Sequence, residues 1–291
     1  MKLSEINIYP VKSLRGIALQ EGLVEDRGLR HDRRWMLVDE RRRFITQREV
    51  ARMATVKIEV NENELKASCN GSGLSIPLRP KNGETANVQI WQSNVKAEVY
   101  SSEINGWFSE ALGVNCRLVL MPETTKRRVS PFYAVRKFRD KVSFADGYPF
   151  LLIGEGSLED LNKRIRECLE MELAGKVPAF QPLPEVPAFQ PFPMNRFRPN
   201  FVVGGSEPFA EDKWKRIRIG STEFHVVKPC ARCVITTVDQ TSGEKTGKEP
   251  LKTLSAYRSR NGKVMFGQNL IAEKAGGTVR VGDAIEILET R

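Results

Sequence analysis

Short apolar segments punctuated by turn residues, rather than long amphipathic stretches, dominate the chain. Residues 1–9 read as a strand that Pro10 ends. From Phe44 to Tyr100 further strands fall at residues 55–60, 64–68, 74–78, 88–91 and 95–100. Asn70-Gly71-Ser72-Gly73 and Lys81-Asn82-Gly83 are the clearest turns between them, and strands this short at this spacing predict a barrel or sandwich. The period then changes. Ile104, Trp107, Phe108, Ala111 and Leu112 recur at helical spacing over residues 102–112, and Gly113 supplies the stop. These are core residues of a helix. A strand at 116–121 follows, and the turn Asp146-Gly147-Tyr148-Pro149 feeds a buried strand beginning at Phe150. A second helix is expected over residues 157–173, with Ser157 as N-cap and Asp160 in the place of the capping-box acid. Strands return at 197–205, 214–219, 223–227 and 284–288. The fold class predicted is α+β and β-rich, with peripheral helices.

One segment breaks the pattern. Val177-Pro178-Ala179-Phe180-Gln181-Pro182 recurs nine residues later as Val186-Pro187-Ala188-Phe189-Gln190-Pro191. Proline at this density excludes helix and central strand, so the insert at 177–194 is expected as an extended, polyproline-like excursion on the surface. A proline-rich ligand for a partner is the functional alternative.

Composition narrows the possibilities. A chain of 291 residues with 40% hydrophobic content suits one large or two modest globular domains. Forty-six Lys and Arg against 36 Asp and Glu give a net charge of +10, which points to an anionic partner: a phosphorylated cofactor, an acidic protein or nucleic acid. Five cysteines without regular spacing fit a reducing compartment rather than a disulfide framework. With no apolar leader and no membrane-length run, a cytoplasmic location is expected.

The cations are concentrated. Lys12 and Ser13 stand in a polar loop between apolar strands, a setting suited to phosphate although, taken alone, it reads first as an ordinary solvated turn. Arg33 directly precedes the apolar run from Trp35 to Val38, where a guanidinium could grip a phosphate or carboxylate. His31 beside it reads as a surface histidine, because nothing nearby completes a ligand set. Between Lys126 and Arg139 cations interleave with aromatics, as on a single-strand nucleic-acid surface. No nucleic-acid-binding motif accompanies them, which favours a mobile basic loop over a site or a docking surface.

The chemistry centres on Cys230-Ala231-Arg232-Cys233, expected on a connection between a strand ended by Pro229 and another beginning at Val234. A thioredoxin-like dithiol wants a following helix, and a zinc site wants a second ligand pair. Neither is present in the sequence. Inert half-buried thiols, a nucleophile, and a thiolate ligand for a soft metal all stay open.

Taken together, Arg198-Pro199-Asn200, Lys228 through Asp239, Glu249-Pro250-Leu251-Lys252-Thr253-Leu254, Phe266-Gly267-Gln268-Asn269 and Val281-Gly282-Asp283 resemble a MOSC domain. Tyr9-Pro10-Val11-Lys12-Ser13 and Asp32-Arg33-Arg34-Trp35 resemble the β-barrel domain that precedes MOSC in one branch of that family. The resemblance implies an N-terminal barrel domain over residues 1–120 and a MOSC domain over 121–291 that carries the proline-rich insert. It also implies the molybdenum cofactor, molybdenum held by molybdopterin, with Cys233 as metal ligand and catalytic centre and Cys230 as a neighbour. Lys12, Ser13, Arg33, Arg198 and Asn200 would line that cofactor, as would Ala231, Arg232 and Asn269. Asp146, Gly147 and Tyr148 would join them, although Gly147 and Tyr148 stand where one member of the family has small hydroxyl residues and Asn269 where it has an aromatic one. The activity implied is that of an oxidoreductase reducing N-hydroxylated small molecules with electrons from a separate protein. Sulfur transfer or cofactor maturation is the alternative within the family, and a non-catalytic cofactor carrier or a basic nucleic-acid module the alternative of another class.

Overall fold

Two strands without polar alternation separate the cores of the molecule. Phe150–Gly154 is buried at every position. Phe150 and Leu152 enter one core with Phe201, Val203 and Phe224, while Leu151 and Ile153 enter another with Leu161, Ile165 and Phe266. Successive side chains of a strand point to opposite faces, so a strand covered on both faces must be apolar throughout. Trp35–Val38 obeys the same rule: Trp35 and Leu37 face one core, Met36 and Val38 a second. Where one face is wet the alternation returns, as in Glu64–Cys69 with its buried Leu65, Ala67 and Cys69.

The computed structural model describes residues 1–81, 83–137, 139–174 and 189–291. The architecture is β-rich α+β, as the sequence pattern predicts. The largest sheet among the described residues runs in the order Ile285–Thr290, Trp214–Ile219, Thr222–Ala231, Lys263–Ala272, Phe150–Gly154, Phe201–Gly204, Lys2–Ile8 and Ile17–Leu19. Within it Phe150–Gly154 and Phe201–Gly204 pair parallel, and Lys2–Ile8 pairs antiparallel with Phe201–Gly204. The first strand of the chain is thus built into the sheet of the last third. A second sheet joins Trp35–Val38, Arg117–Leu120, Ser93–Val99 and Thr85–Ile90. Because Trp35–Val38 and Lys2–Ile8 lie in different sheets, the short segment between them carries residues 9–34 across the junction of the two.

The helix Ser102–Leu112 matches its expected bounds, burying Ile104, Phe108 and Leu112 on one face and ending at Gly113 with φ of 67°. The second helix, Glu155–Ala174, starts two residues before the position expected, and Ser157 is not its cap. The Ser157 hydroxyl lies 2.8 and 2.9 Å from the two carboxylate oxygens of Glu211 and accepts the Phe209 N–H. That carboxylate also takes the Gly154 N–H, so the negative group at the helix start comes from a distant segment. Asp160 pairs with Arg164 instead of capping.

The connection around the thiols also differs from expectation. Thr222–Ala231 continues past Pro229, with register shifts on either side of Pro229 that accommodate a residue unable to donate to the ladder. Val234–Thr237 is a single 3-10 turn rather than a strand. The Cys233 carbonyl accepts both the backbone N–H and the hydroxyl of Thr236, and the Thr237 hydroxyl returns to the Val234 carbonyl. Local hydroxyl-to-backbone bonds outweigh β propensity here.

Two further expectations change. His31 is half-buried and stacked on Trp35 at 6.1 Å, not a free surface residue. The segment 126–139 is not uniformly a loose basic loop, because Arg127 is 6% exposed and donates to the carbonyls of Ser143, Ala145 and Asp146. Most of the proline-rich insert lies outside the described residues. Its end does not: Phe189 and Phe192 pack against the core that contains Phe197.

Candidate functional site

The structure brings every site residue named from the sequence to one cleft. Lys12, Ser13 and Arg33 arrive on the segment that crosses between sheets. Asp146, Gly147 and Tyr148 arrive on the turn before Phe150–Gly154. Arg198, Asn200, Ala231, Arg232, Cys233 and Asn269 form the facing wall.

Three lining residues other than glycine, Ser13, Arg33 and Arg198, hold φ of 67°, 51° and 55°. A left-handed conformation costs such residues on the order of 1 kcal/mol or more each, and persists only where the surroundings enforce it. The surroundings do so. Gln47 Nε2 donates to the Ser13 carbonyl at 2.8 Å, the Arg33 N–H binds the Tyr9 carbonyl at 2.9 Å, and Phe144 N–H binds the Arg33 carbonyl at 2.9 Å. Strain gathered on residues lining one cleft marks a functional surface.

The guanidinium groups are locked by the frame beneath them. Arg33 Nη1 sits 2.6 Å from Asp32 Oδ2, and Asp32 Oδ1 takes the Tyr9 N–H at 2.8 Å. Arg33 and Arg198 both lie over the Tyr9 ring, at 4.5 and 4.2 Å from its centre. Arg198 Nη2 donates to the Leu14 carbonyl at 2.8 Å. Burial pushes Arg198 down to about 10 and the Tyr9 phenol up to about 12. Asn200 is held inside the protein: Oδ1 accepts from Leu151 N–H and Arg33, and Nδ2 donates to the Asn7 carbonyl. It fastens the first strand to the wall.

Lys12 Nζ contacts Asp146 Oδ1 at 2.5 Å. Burial pulls the ammonium down to about 8 against the attraction of Asp146. Burial would raise Asp146, yet Lys12, then Arg48 and the Trp91 N–H, hold its carboxyl well below the usual range. The Asp146 side chain remains 63% exposed at the cleft mouth, so solvent screens part of that effect.

Cys233 begins the 3-10 turn in an extended conformation, half-buried, while Cys230 packs its flank on the core containing Phe197. Each thiol has its own guanidinium. Arg232 Nη1 lies 3.1 Å from Cys230 Sγ, and Arg48 Nη2 lies 3.4 Å from Cys233 Sγ. Sequence reasoning missed Arg48, Thr46 and Thr236, which also line the cleft. Nothing in the spacing around Thr46-Gln47-Arg48 signals a thiol that lies 185 residues away. Five cations, Lys12, Arg33, Arg48, Arg198 and Arg232, face the one carboxylate of Asp146 among the described lining residues. Such a surface suits an anion. Among the described residues no three His, Cys, Asp or Glu side chains converge as a closed metal cage.

A groove adjoins the cleft at Gly147 and Tyr148, and is walled by Phe44, Trp91 and Arg127. Phe44 and Trp91 stand 5.0 Å apart between ring centres, and Tyr133 meets Tyr148 edge-on at 6.0 Å.

Comparison with known proteins gives a consistent result. Residues 139–286 match the MOSC domain, and residues 1–115 match the MOSC N-terminal beta barrel domain. Mitochondrial amidoxime-reducing component 1 of Mus musculus is 30% identical over 302 residues, covering 98% of this chain and 82% of that protein. Mitochondrial amidoxime reducing component 2 of Rattus norvegicus is 32% identical, covering 97% and 82%. The molybdenum cofactor sulfurase of Oryza sativa subsp. japonica is 32% identical over 276 residues. That match spans 91% of this chain but only 32% of the sulfurase.

Proposed function

Because the chain belongs to the MOSC family, in the branch with a MOSC N-terminal β-barrel domain, we propose that its cleft holds a molybdenum cofactor and reduces N-hydroxylated compounds. Amidoximes, hydroxylamines and N-hydroxylated bases would leave as amidines and amines. The observation that carries the reading is the convergence of a half-buried thiol, five cations and three strained backbones on one cleft.

The residues fit the group. A thiolate is the soft ligand that molybdenum in a dithiolene favours, and Cys233 offers one. The pterin phosphate wants charge-assisted donors, and Arg33, Arg198 and Lys12 provide them already desolvated and oriented. When bound, the cofactor supplies the two electrons that, with two protons, cleave the N–O bond and release the oxygen as water. The protein's own residues position and shelter. Asn200 and Asp32 hold Arg33 in place, Arg127 anchors the turn of Asp146 to Tyr148 through three carbonyls, and Lys12 Nζ keeps its proton at neutral pH. The aromatic groove beside Tyr148 is the approach for a flat substrate.

Electrons would come from a separate protein. Lys126, Lys137 and Arg139 are exposed on the segment whose Tyr133 touches Tyr148 at the cleft, and Phe132 beside it is 94% exposed. An acidic carrier would be drawn to that face. The division near residue 120 and a cytoplasmic location belong to the same reading, the second supported by the free cysteines. No helix among the described residues is long and apolar enough to cross a membrane. The sulfur-transfer alternative is weaker, since the match covers less than a third of the rice sulfurase.

Turnover of benzamidoxime by molybdenum-loaded protein with an artificial reductant is the test. Benzamidine should form with the wild type and not with Cys233→Ser. Loaded protein that forms none with any N-hydroxylated substrate would remove the reductase reading.

A further inference from the structure

Arg48 is placed with unusual care for a residue 22% exposed in its side chain. Its backbone N–H donates to Thr46 Oγ1 at 3.2 Å, and its carbonyl accepts Lys245 Nζ at 3.1 Å. The preceding Gln47 and the distant Gln240 exchange amide hydrogen bonds of 3.1 and 2.9 Å, both buried. The loop is therefore pinned to the wall that carries the thiols. Above the backbone, the guanidinium lies 4.8 Å from the Trp91 ring centre. Its Nη2 stands 3.4 Å from Cys233 Sγ and 4.0 Å from Asp146 Oδ2. Asp146 is itself fixed by Lys12 and by the Trp91 indole N–H at 3.2 Å. A stacked ring, a fixed carboxylate and a pinned backbone leave the guanidinium little choice but to aim one N–H at the sulfur.

We propose that Arg48 is a positioning residue that draws electron density from the Cys233 sulfur and thereby sets the reduction potential of the metal that this sulfur ligates. The proposal rests on the reading that Cys233 holds molybdenum. A hydrogen bond from a cation to a ligating sulfur weakens the sulfur's donation to the metal and stabilises the reduced form, which raises the potential. The effect comes from the N-terminal third of the chain and acts on a ligand in the last third, so the two parts share the tuning of one centre.

The test compares wild type, Arg48→Gln and Arg48→Lys as holoproteins, each with measured molybdenum content and thermal melting. The readouts are the midpoint potential and the sulfur-to-metal charge-transfer absorption. Arg48→Gln should retain the metal, shift the band, and lower the ratio of reduced to oxidised centre at a fixed potential by roughly tenfold, the scale of one charge-assisted hydrogen bond. Arg48→Lys should recover part of both shifts. Metal-loaded variants with the wild-type potential and band would overturn the role of Arg48 while leaving the functional reading intact. Wild-type protein that takes up no molybdenum would remove both.

Discussion

The two sides of the cleft are built by opposite means. The lining residues supplied by 9–48, namely Lys12, Ser13, Arg33, Thr46 and Arg48, lie between strands, with left-handed backbones at Ser13 and Arg33 and cations tied to Asp32 and Asp146. The side supplied by Thr222–Ala231 and Lys263–Ala272 is paired sheet, shifted in register around Pro229, on which the thiols sit where a strand gives way to a 3-10 turn. The first side resembles an anion clamp whose strain and desolvation are met in advance by surrounding bonds. The second is a strand-end shelf that presents the two thiols. Charge here is costly to place and needs a dedicated frame, whereas a thiol needs only a firm strand end.

Breaking the shelf should have the largest effect. Cys233→Ser is expected to lower molybdenum content and turnover by more than roughly 100-fold, beyond the loss seen when only an outer partner of a ligand is removed. Cys230→Ser should stay within a few-fold of wild type in both. Equal losses in elemental analysis and rate would mean that the two thiols act together and that the single-ligand assignment is wrong.

Loosening the clamp comes next. Arg33→Ala removes a guanidinium that is 13% exposed and leaves Asp32 buried without it. Loss of the phosphate contact should cost about 1.5–3 kcal/mol, or tenfold and more in cofactor retention after gel filtration. Arg33→Lys should recover part of this, and Arg42→Ala, in an exposed basic run, should change nothing. Retention unaffected by Arg33→Ala would detach this arginine from the cofactor.

A smaller effect is expected from pH. Lys12 falls to about 8 from its ordinary 10.5, so the ammonium is charged below pH 8 and progressively lost above it. Affinity of the cofactor-free protein for the extracted cofactor should fall between pH 7 and 9, and Lys12→Arg should flatten the profile. Folding stability moves the other way. Between pH 8 and 10.5 the unfolded chain binds the proton that the native state has released, so this group's contribution to stability rises with pH. Identical binding profiles for wild type and Lys12→Arg would show that Lys12 does not face the anion.

The smallest effect concerns the outer face. Lys126, Lys137 and Arg139 changed together to Glu should slow turnover with a protein electron donor and weaken its salt dependence, with turnover by a small reductant nearly unchanged. Equal slowing with both donors would place these charges in the site itself.

How much of this was legible in the sequence differs by element. The helix Ser102–Leu112 could be read end to end, because its apolar spacing and Gly113 are local signals. The buried strand Phe150–Gly154 was equally plain as an apolar run after a turn. The 3-10 turn Val234–Thr237 was not, since hydroxyl-to-carbonyl bonds reversed what β-branched composition suggests. Ser157 looked like a cap because local grammar cannot foresee Glu211, which approaches from 54 residues away. The site residues came from resemblance in blocks rather than from spacing, and the structure gathers them in one cleft. Arg127 read as a surface charge, yet three backbone carbonyls take it inside. Arg48 lay outside every matching block, and long-range contacts bring it to the thiol: the pairing of Gln47 with Gln240, the Lys245 bond to its carbonyl, and the Trp91 ring beneath its guanidinium.

The most direct test of the central claim is elemental and pterin analysis of protein made in a host that synthesises the cofactor. About one molybdenum and one pterin per chain are expected in the wild type, with the metal lost in Cys233→Ser. Wild-type protein carrying neither, from a host shown to make the cofactor, would contradict it.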